Sequence, residues 1–183
     1  MSAFPWHDAK QTLLRISQPE IRTFLQSDRS RGLYGIGYFC HNSYGDVLIV
    51  ANTTDFHRDS FRGYVEEFGP CHEDEFKWDI GNWQYPAGIA NGPGQQSPDY
   101  QSSWEPFRKT IDQPTVNGAV DHPGAQLRNL CCDVLQSLIT KGIFDAYLPN
   151  LGFTVMDVDD PGTAGPATKM DFDSFVSNRE RPA

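Results

Sequence analysis

The stretch from Leu33 to Asn52 constrains the fold more than any other part of the chain. Leu33 to Cys40 and Asp46 to Asn52 are two β-rich runs, and the link between them, His41 to Gly45, is made of turn formers. Two apolar runs joined in this way predict a β-hairpin. Gly35 and Gly37 share one face of the first strand, since side chains alternate along a strand. Missing side chains on one face leave room for a close-packed helix or a neighbouring backbone. We read the pair as a packing feature rather than a ligand site.

Helical periodicity surrounds the hairpin. Leu13, Leu14, Ile16, Ile21, Phe24 and Leu25 recur at helical spacing, interrupted at Ser17-Gln18-Pro19, so a helical N-terminal segment broken near residue 18 is expected. Thr53 or Thr54 can cap a helix from about Asp55 to Phe68, in which Phe56, Ser60, Tyr64 and Phe68 lie four apart; Gly69-Pro70 ends it. Another long helix is expected from Pro123 or Gly124 to Gly142, its apolar face formed by Leu127, Leu130, Cys131, Val134, Leu135, Leu138 and Ile139. Gly142 is a natural C-terminal cap. Phe153 to Val158 reads as a core strand that stops at Asp159-Asp160-Pro161-Gly162. Residues 70 to 103, rich in Pro, Gly, Gln, Asn and Ser, read as a long irregular loop. The expectation is an α+β fold: a small, mostly antiparallel sheet, built from the N-terminal hairpin and a C-terminal strand, packed by three or more helices. Residues 1–162 form one domain, and residues 163–183 a polar C-terminal tail.

Composition bears on partners and compartment. The 183 residues carry 15 Lys and Arg against 24 Asp and Glu, a net charge of −9. Such a chain lacks the basic field that draws proteins to nucleic-acid phosphate or an anionic membrane, which argues against both partners. Hydrophobic residues reach 38%, enough for a real core despite a mean hydropathy of −0.52. No run approaches the roughly 18 apolar residues of a membrane span, and Met1 to Trp6 has no export-type pattern, so a cytoplasmic location is expected. Cys40, Cys71, Cys131 and Cys132 lack the spacing of a disulfide framework and read as reduced thiols.

Few residue patterns point to chemistry. The dipeptides Cys40-His41 and Cys71-His72 offer zinc-type donors, but neighbours on a strand point to opposite faces, and Cys131 and Cys132 diverge by about 100° on a helix. Cys71-His72 beside Glu73, Asp74 and Glu75 is better read as an acidic surface loop than as a nucleophile with its base. Asp157, Asp159 and Asp160 stand at a strand end, where carboxylates can hold a metal, although Asp-Asp-Pro-Gly is also a turn sequence. Neither a nucleophile elbow nor a phosphate loop is present. The strongest pattern is a block of Trp78, Trp83, Tyr85, Tyr100 and Trp104, flanked by Glu66, Glu67, Glu73, Asp74 and Glu75. Trp and Tyr anchor protein interfaces, although Trp78 and Trp83 are better read as pinning the long loop onto the sheet, with Tyr100 and Trp104 left open between the two roles. Acidic groups beside exposed aromatics suit a basic partner, the charges speeding association and the rings slowing escape.

Several of these elements recur in a fixed order: a helix, the strand around Tyr34 to Phe39, Val50 to Thr54 closing the second strand, the block from Lys77-Trp78 to Trp83, a helix closing on Gly142-Ile143-Phe144, and a strand ending Asp157 to Asp160. Over about residues 8 to 161 this order resembles the uncharacterised bacterial domain-of-unknown-function family 4303. The resemblance implies a compact α+β domain, related in role to the small cytoplasmic proteins that neutralise secreted toxins, and it supplies no reaction, cofactor or catalytic residues. The expected function is therefore a non-enzymatic binding protein of immunity type, taking a basic toxin or effector on its acidic and aromatic middle region. The alternatives are a metal-dependent enzyme using the Asp157 to Asp160 carboxylates, and a structural or scaffolding module.

Overall fold

The computed structural model describes residues 4–41, 43–78, 82–83, 98–111, 126–148 and 150–157. The hairpin is present as β1 (Leu33–His41) and β2 (Asp46–Thr53), paired antiparallel from Leu33 opposite Thr53 to His41 opposite Asp46. Its turn closes where the Gly45 N–H donates to the His41 carbonyl at 2.8 Å, with Gly45 at φ +72°, a conformation that glycine adopts without strain. The C-terminal strand β3 (Gly152–Asp157) joins the other edge of β1, parallel to it, which gives a mixed sheet of order β2-β1-β3. The fold is α+β with a small sheet, as the alternation of apolar runs implies.

One face of the sheet carries the core. Ile36, Tyr38 and Cys40 of β1, Val47, Ile49 and Ala51 of β2, and Phe153 and Val155 of β3 are laterally paired and buried in the same apolar cluster. Against them pack α1 (Trp6–Leu25) and α5 (Leu127–Thr140). All seven residues assigned from periodicity to the apolar face of α5 are buried. The helix ends in a Schellman arrangement: Gly142 at φ +72° donates to the Ile139 carbonyl at 2.9 Å, and Ile143 to the Leu138 carbonyl at 3.2 Å.

Two expectations are corrected. The first is the break near residue 18, because α1 runs unbroken through Pro19. An interior proline costs a helix about 3 kcal/mol, and burying one large apolar side chain returns about 1.5–3 kcal/mol. Leu13, Ser17, Ile21 and Phe24 form one continuous buried stripe across the proline, so burial on both sides outweighs the lost hydrogen bond. The second is the irregular stretch 70–103, which holds α3 (Glu73–Trp78) and the start of α4 (Pro98–Ile111); residues 79–81 and 84–97 of it lie outside the described residues. Trp104, Phe107 and Ile111 give α4 an apolar stripe facing the core, and Arg15 ties α1 to it by donating to Ser103 at 2.7 Å. The tail 163–183 lies outside the described residues. No helix among the described residues is long and apolar enough to cross a membrane.

Candidate functional site

The remaining helix, α2 (Thr54–Phe68), follows β2 without a loop. Thr53 ends the strand and caps the helix, its hydroxyl accepting from the Phe56 N–H at 3.3 Å, and Gly69 at φ +92° ends it. The helix lies at the margin of the core and buries only His57. His57 sits among rings from three elements: Tyr34 of β1 edge-on at 6.0 Å, Phe61 stacked at 5.9 Å and Phe76 of α3 at 5.9 Å. Its Nε2 is 3.2 Å from Glu73 Oε1, and since a carboxylate only accepts, Nε2 is the donor. The Nδ1 edge is buried and has no hydrogen-bond partner among the described residues. Burial and the nearby Glu73 charge both push the Tyr34 phenol well above the ordinary tyrosine range. Its hydroxyl donates to the Lys77 carbonyl at 3.4 Å.

From this buried end a ladder of rings leads outward. Phe61 packs on Phe76 at 5.4 Å, Phe76 on Tyr64 at 5.1 Å, and Tyr64 on Phe68 at 5.0 Å. Phe56 and Tyr64 are each 37% exposed and Phe68 67%. The fourfold spacing of Phe56, Ser60, Tyr64 and Phe68 is thus real, but it marks the margin of the helix that faces solvent, while His57, Phe61 and Val65 turn inward.

Charge on α2 is divided lengthwise. In the first half Arg58 meets Asp55 at 3.0 Å and Asp59 at 3.7 Å, and Arg62 meets Asp59 at 3.4 Å, so acid and base offset one another. In the last turn Glu66 and Glu67 are exposed with no ion pair among the described residues, and no basic residue accompanies them. The C-terminal end of a helix carries partial negative charge, so each carboxylate there is placed at a cost of about 0.3–1 kcal/mol.

The residues singled out from sequence fall into three groups. Glu66 and Glu67 on α2 and Glu73 on α3 are all exposed; Glu67 stands beside Tyr64, Glu66 is turned to the far side of the helix, and Glu73 reaches back to His57. Asp74, Glu75 and Trp78 belong to α3 and Tyr100 to α4, but their side chains lie outside the described residues, as does Tyr85 altogether. Trp83 and Trp104 are both core and leave the proposed partner surface, Trp83 by taking the pinning role expected of it and Trp104 by settling inward. Trp83 is 3% exposed, donates to the Lys77 carbonyl at 2.9 Å, and fills the space over Gly35, where a Cβ would come within 2.5 Å of its ring. Trp104 is fully buried and donates to the Gly45 carbonyl at 2.8 Å, locking α4 onto the hairpin turn. Gly37 is needed because a Cβ there would lie 1.9 Å from the Thr154 carbonyl of β3. The aromatic contribution to the surface comes instead from Phe56, Tyr64 and Phe68, whose spacing was visible in the sequence but whose side of the helix was not.

Elsewhere the chemistry is sparse. Among the described residues no three His, Cys, Asp or Glu side chains are placed to hold a metal ion. Asp157 ends β3, its side chain outside the described residues, together with Asp159 and Asp160. Cys40 and Cys131 are buried, Cys132 is half-buried with its thiol pushed up to about 11 by burial, and Cys71 is exposed; none of the four is in a disulfide. A cleft of about 270 Å³ between α1 and α5, walled by Trp6 and Asn129 and crossed by the Lys10–Asp133 ion pair at 3.3 Å, falls below the roughly 300–1,000 Å³ of most ligand pockets. Compared with protein-family models, with curated protein sequences and with solved structures, the chain finds no match in any of the three.

Proposed function

We propose that this is a non-enzymatic cytoplasmic binding protein of immunity type, which neutralises a basic toxin or effector by covering it with the α2–α3 surface. One observation carries the reading. Of the four large hydrophobic side chains exposed among the described residues, Phe56, Tyr64 and Phe68 stand on one helix, whose last turn carries Glu66 and Glu67 with no ion pair among the described residues. Exposed rings at one place are the usual anchors of a protein interface, and the unopposed charge of Glu66 and Glu67, joined by the exposed carboxylate of Glu73 on α3, steers a basic protein toward them. The net charge of −9 adds a long-range field of the same sign.

The test is protection of cells against a toxin encoded beside this gene, together with co-purification of the two proteins. Reversing Glu66, Glu67 and Glu73 to lysine is expected to abolish both while the variant stays folded by circular dichroism. Protection that survives the reversal would place the binding surface elsewhere.

A further inference from the structure

Resting on that reading, we propose that the group received at the C-terminal end of α2 is an arginine side chain of the basic partner, stacked on the Tyr64–Phe68 rings and held by Glu67 and the terminal carbonyls of the helix. Tyr64 and Phe68, 5.0 Å apart and tilted by 44°, present open ring surface to solvent. Among the described residues the Gly69 N–H takes up the Val65 carbonyl at 3.0 Å, and no backbone N–H takes up those of Glu66, Glu67 or Phe68. These are acceptors in need of a donor. Glu67 follows Tyr64 by three residues and so stands beside it on the helix surface, whereas Glu66 is turned to the far side.

Rings, carboxylate and free carbonyls together ask for a group that is cationic, planar and rich in donors. A guanidinium is all three, and its weak hydration lets it lie on an aromatic face; an ammonium offers a compact, strongly hydrated charge that uses the rings poorly. A second copy of this chain is a poor occupant, since both molecules carry −9 and the α2 arginines, Arg58 and Arg62, are engaged by Asp55 and Asp59. An anionic lipid surface is repelled by the same charge.

The experiment uses the full chain, with a six-residue arginine peptide and its lysine counterpart as probes of equal charge, read by calorimetry and by amide shifts in NMR. Arginine is expected to bind about fivefold or more tightly than lysine, with the largest shifts at Tyr64 to Gly69. Phe68→Leu keeps apolar area but removes the ring, and should reduce the two peptides to equal affinity; Glu67→Gln should weaken both. Equal affinities in the unaltered protein, or an arginine preference that Phe68→Leu leaves intact, would overturn the arginine site. The two proposals fail separately. An arginine preference at this corner without protection from a neighbouring toxin overturns only the immunity role. Protection lost on charge reversal, with no arginine preference, overturns only this site.

Discussion

Helices α2 and α5 are almost equal in length, 15 and 14 residues, yet α5 buries seven side chains and α2 buries one. The comparison separates two ways in which a helix can be kept. α5 is held by its apolar stripe against β1 and β3, and its polar residues are incidental to the fold. α2 is held at its ends, by the Thr53 cap and the Gly69 stop, and along one edge by the His57, Phe61 and Phe76 rings. Its outer margin keeps aromatic surface and an uncompensated acidic turn, neither of which the fold needs. Local features that cost stability and persist are expected where a surface serves something other than folding.

The largest effect is expected on the α5 side of the comparison. Trp104→Ala removes the indole that joins α4 to the hairpin turn, and should lower the unfolding free energy by about 3–5 kcal/mol in urea titration. A loss below about 1 kcal/mol would return Trp104 to the surface role that its residue type suggested. Next comes Gly37→Ala, which forces β3 away from β1; the expected loss is about 1–3 kcal/mol with near-normal helix content. On the α2 side, Thr53→Ala should cost about 1 kcal/mol by removing the cap, measurable as a lower urea midpoint. Phe68→Ala should change stability by no more than about 0.5 kcal/mol, since its ring is mostly in water already. Thiol titration draws the same line kinetically. Cys71, between α2 and α3, should react with an aromatic disulfide in the native state, and Cys40, Cys131 and Cys132 only after denaturation.

The legible parts of this fold are those in which local pattern and tertiary burial agree. Alternation in β1 and β2 with Gly45 between them, and the apolar stripe of α5 ending at Gly142, could be read because the periodicity of 2 or 3.6 that forms the element also faces it inward. Pro19 misled because the cost of an interior proline is local and visible, while the burial that offsets it comes from distant residues. Aromatic identity was the least informative signal, since Trp83 and Trp104 went inward and Phe68 outward, and residue type does not say which. The parallel pairing of β3 with β1 joins residues more than 110 positions apart, for example Gly35 with Gly152, and no local pattern records it. For the site, the acidic cluster was legible from composition alone, but its correct aromatic neighbours followed only once the direction of α2 was known.

The central claim is that the outer margin of α2 is maintained for binding and not for folding. It is tested most directly by the double variant Glu67→Lys, Phe68→Ser, with urea unfolding and capture of the neighbour-encoded partner measured on the same preparation. The account predicts a midpoint equal to or slightly above that of the unaltered protein, because a lysine in the last turn favours the helix dipole, together with loss of capture. Full capture by a variant of unchanged stability would contradict it.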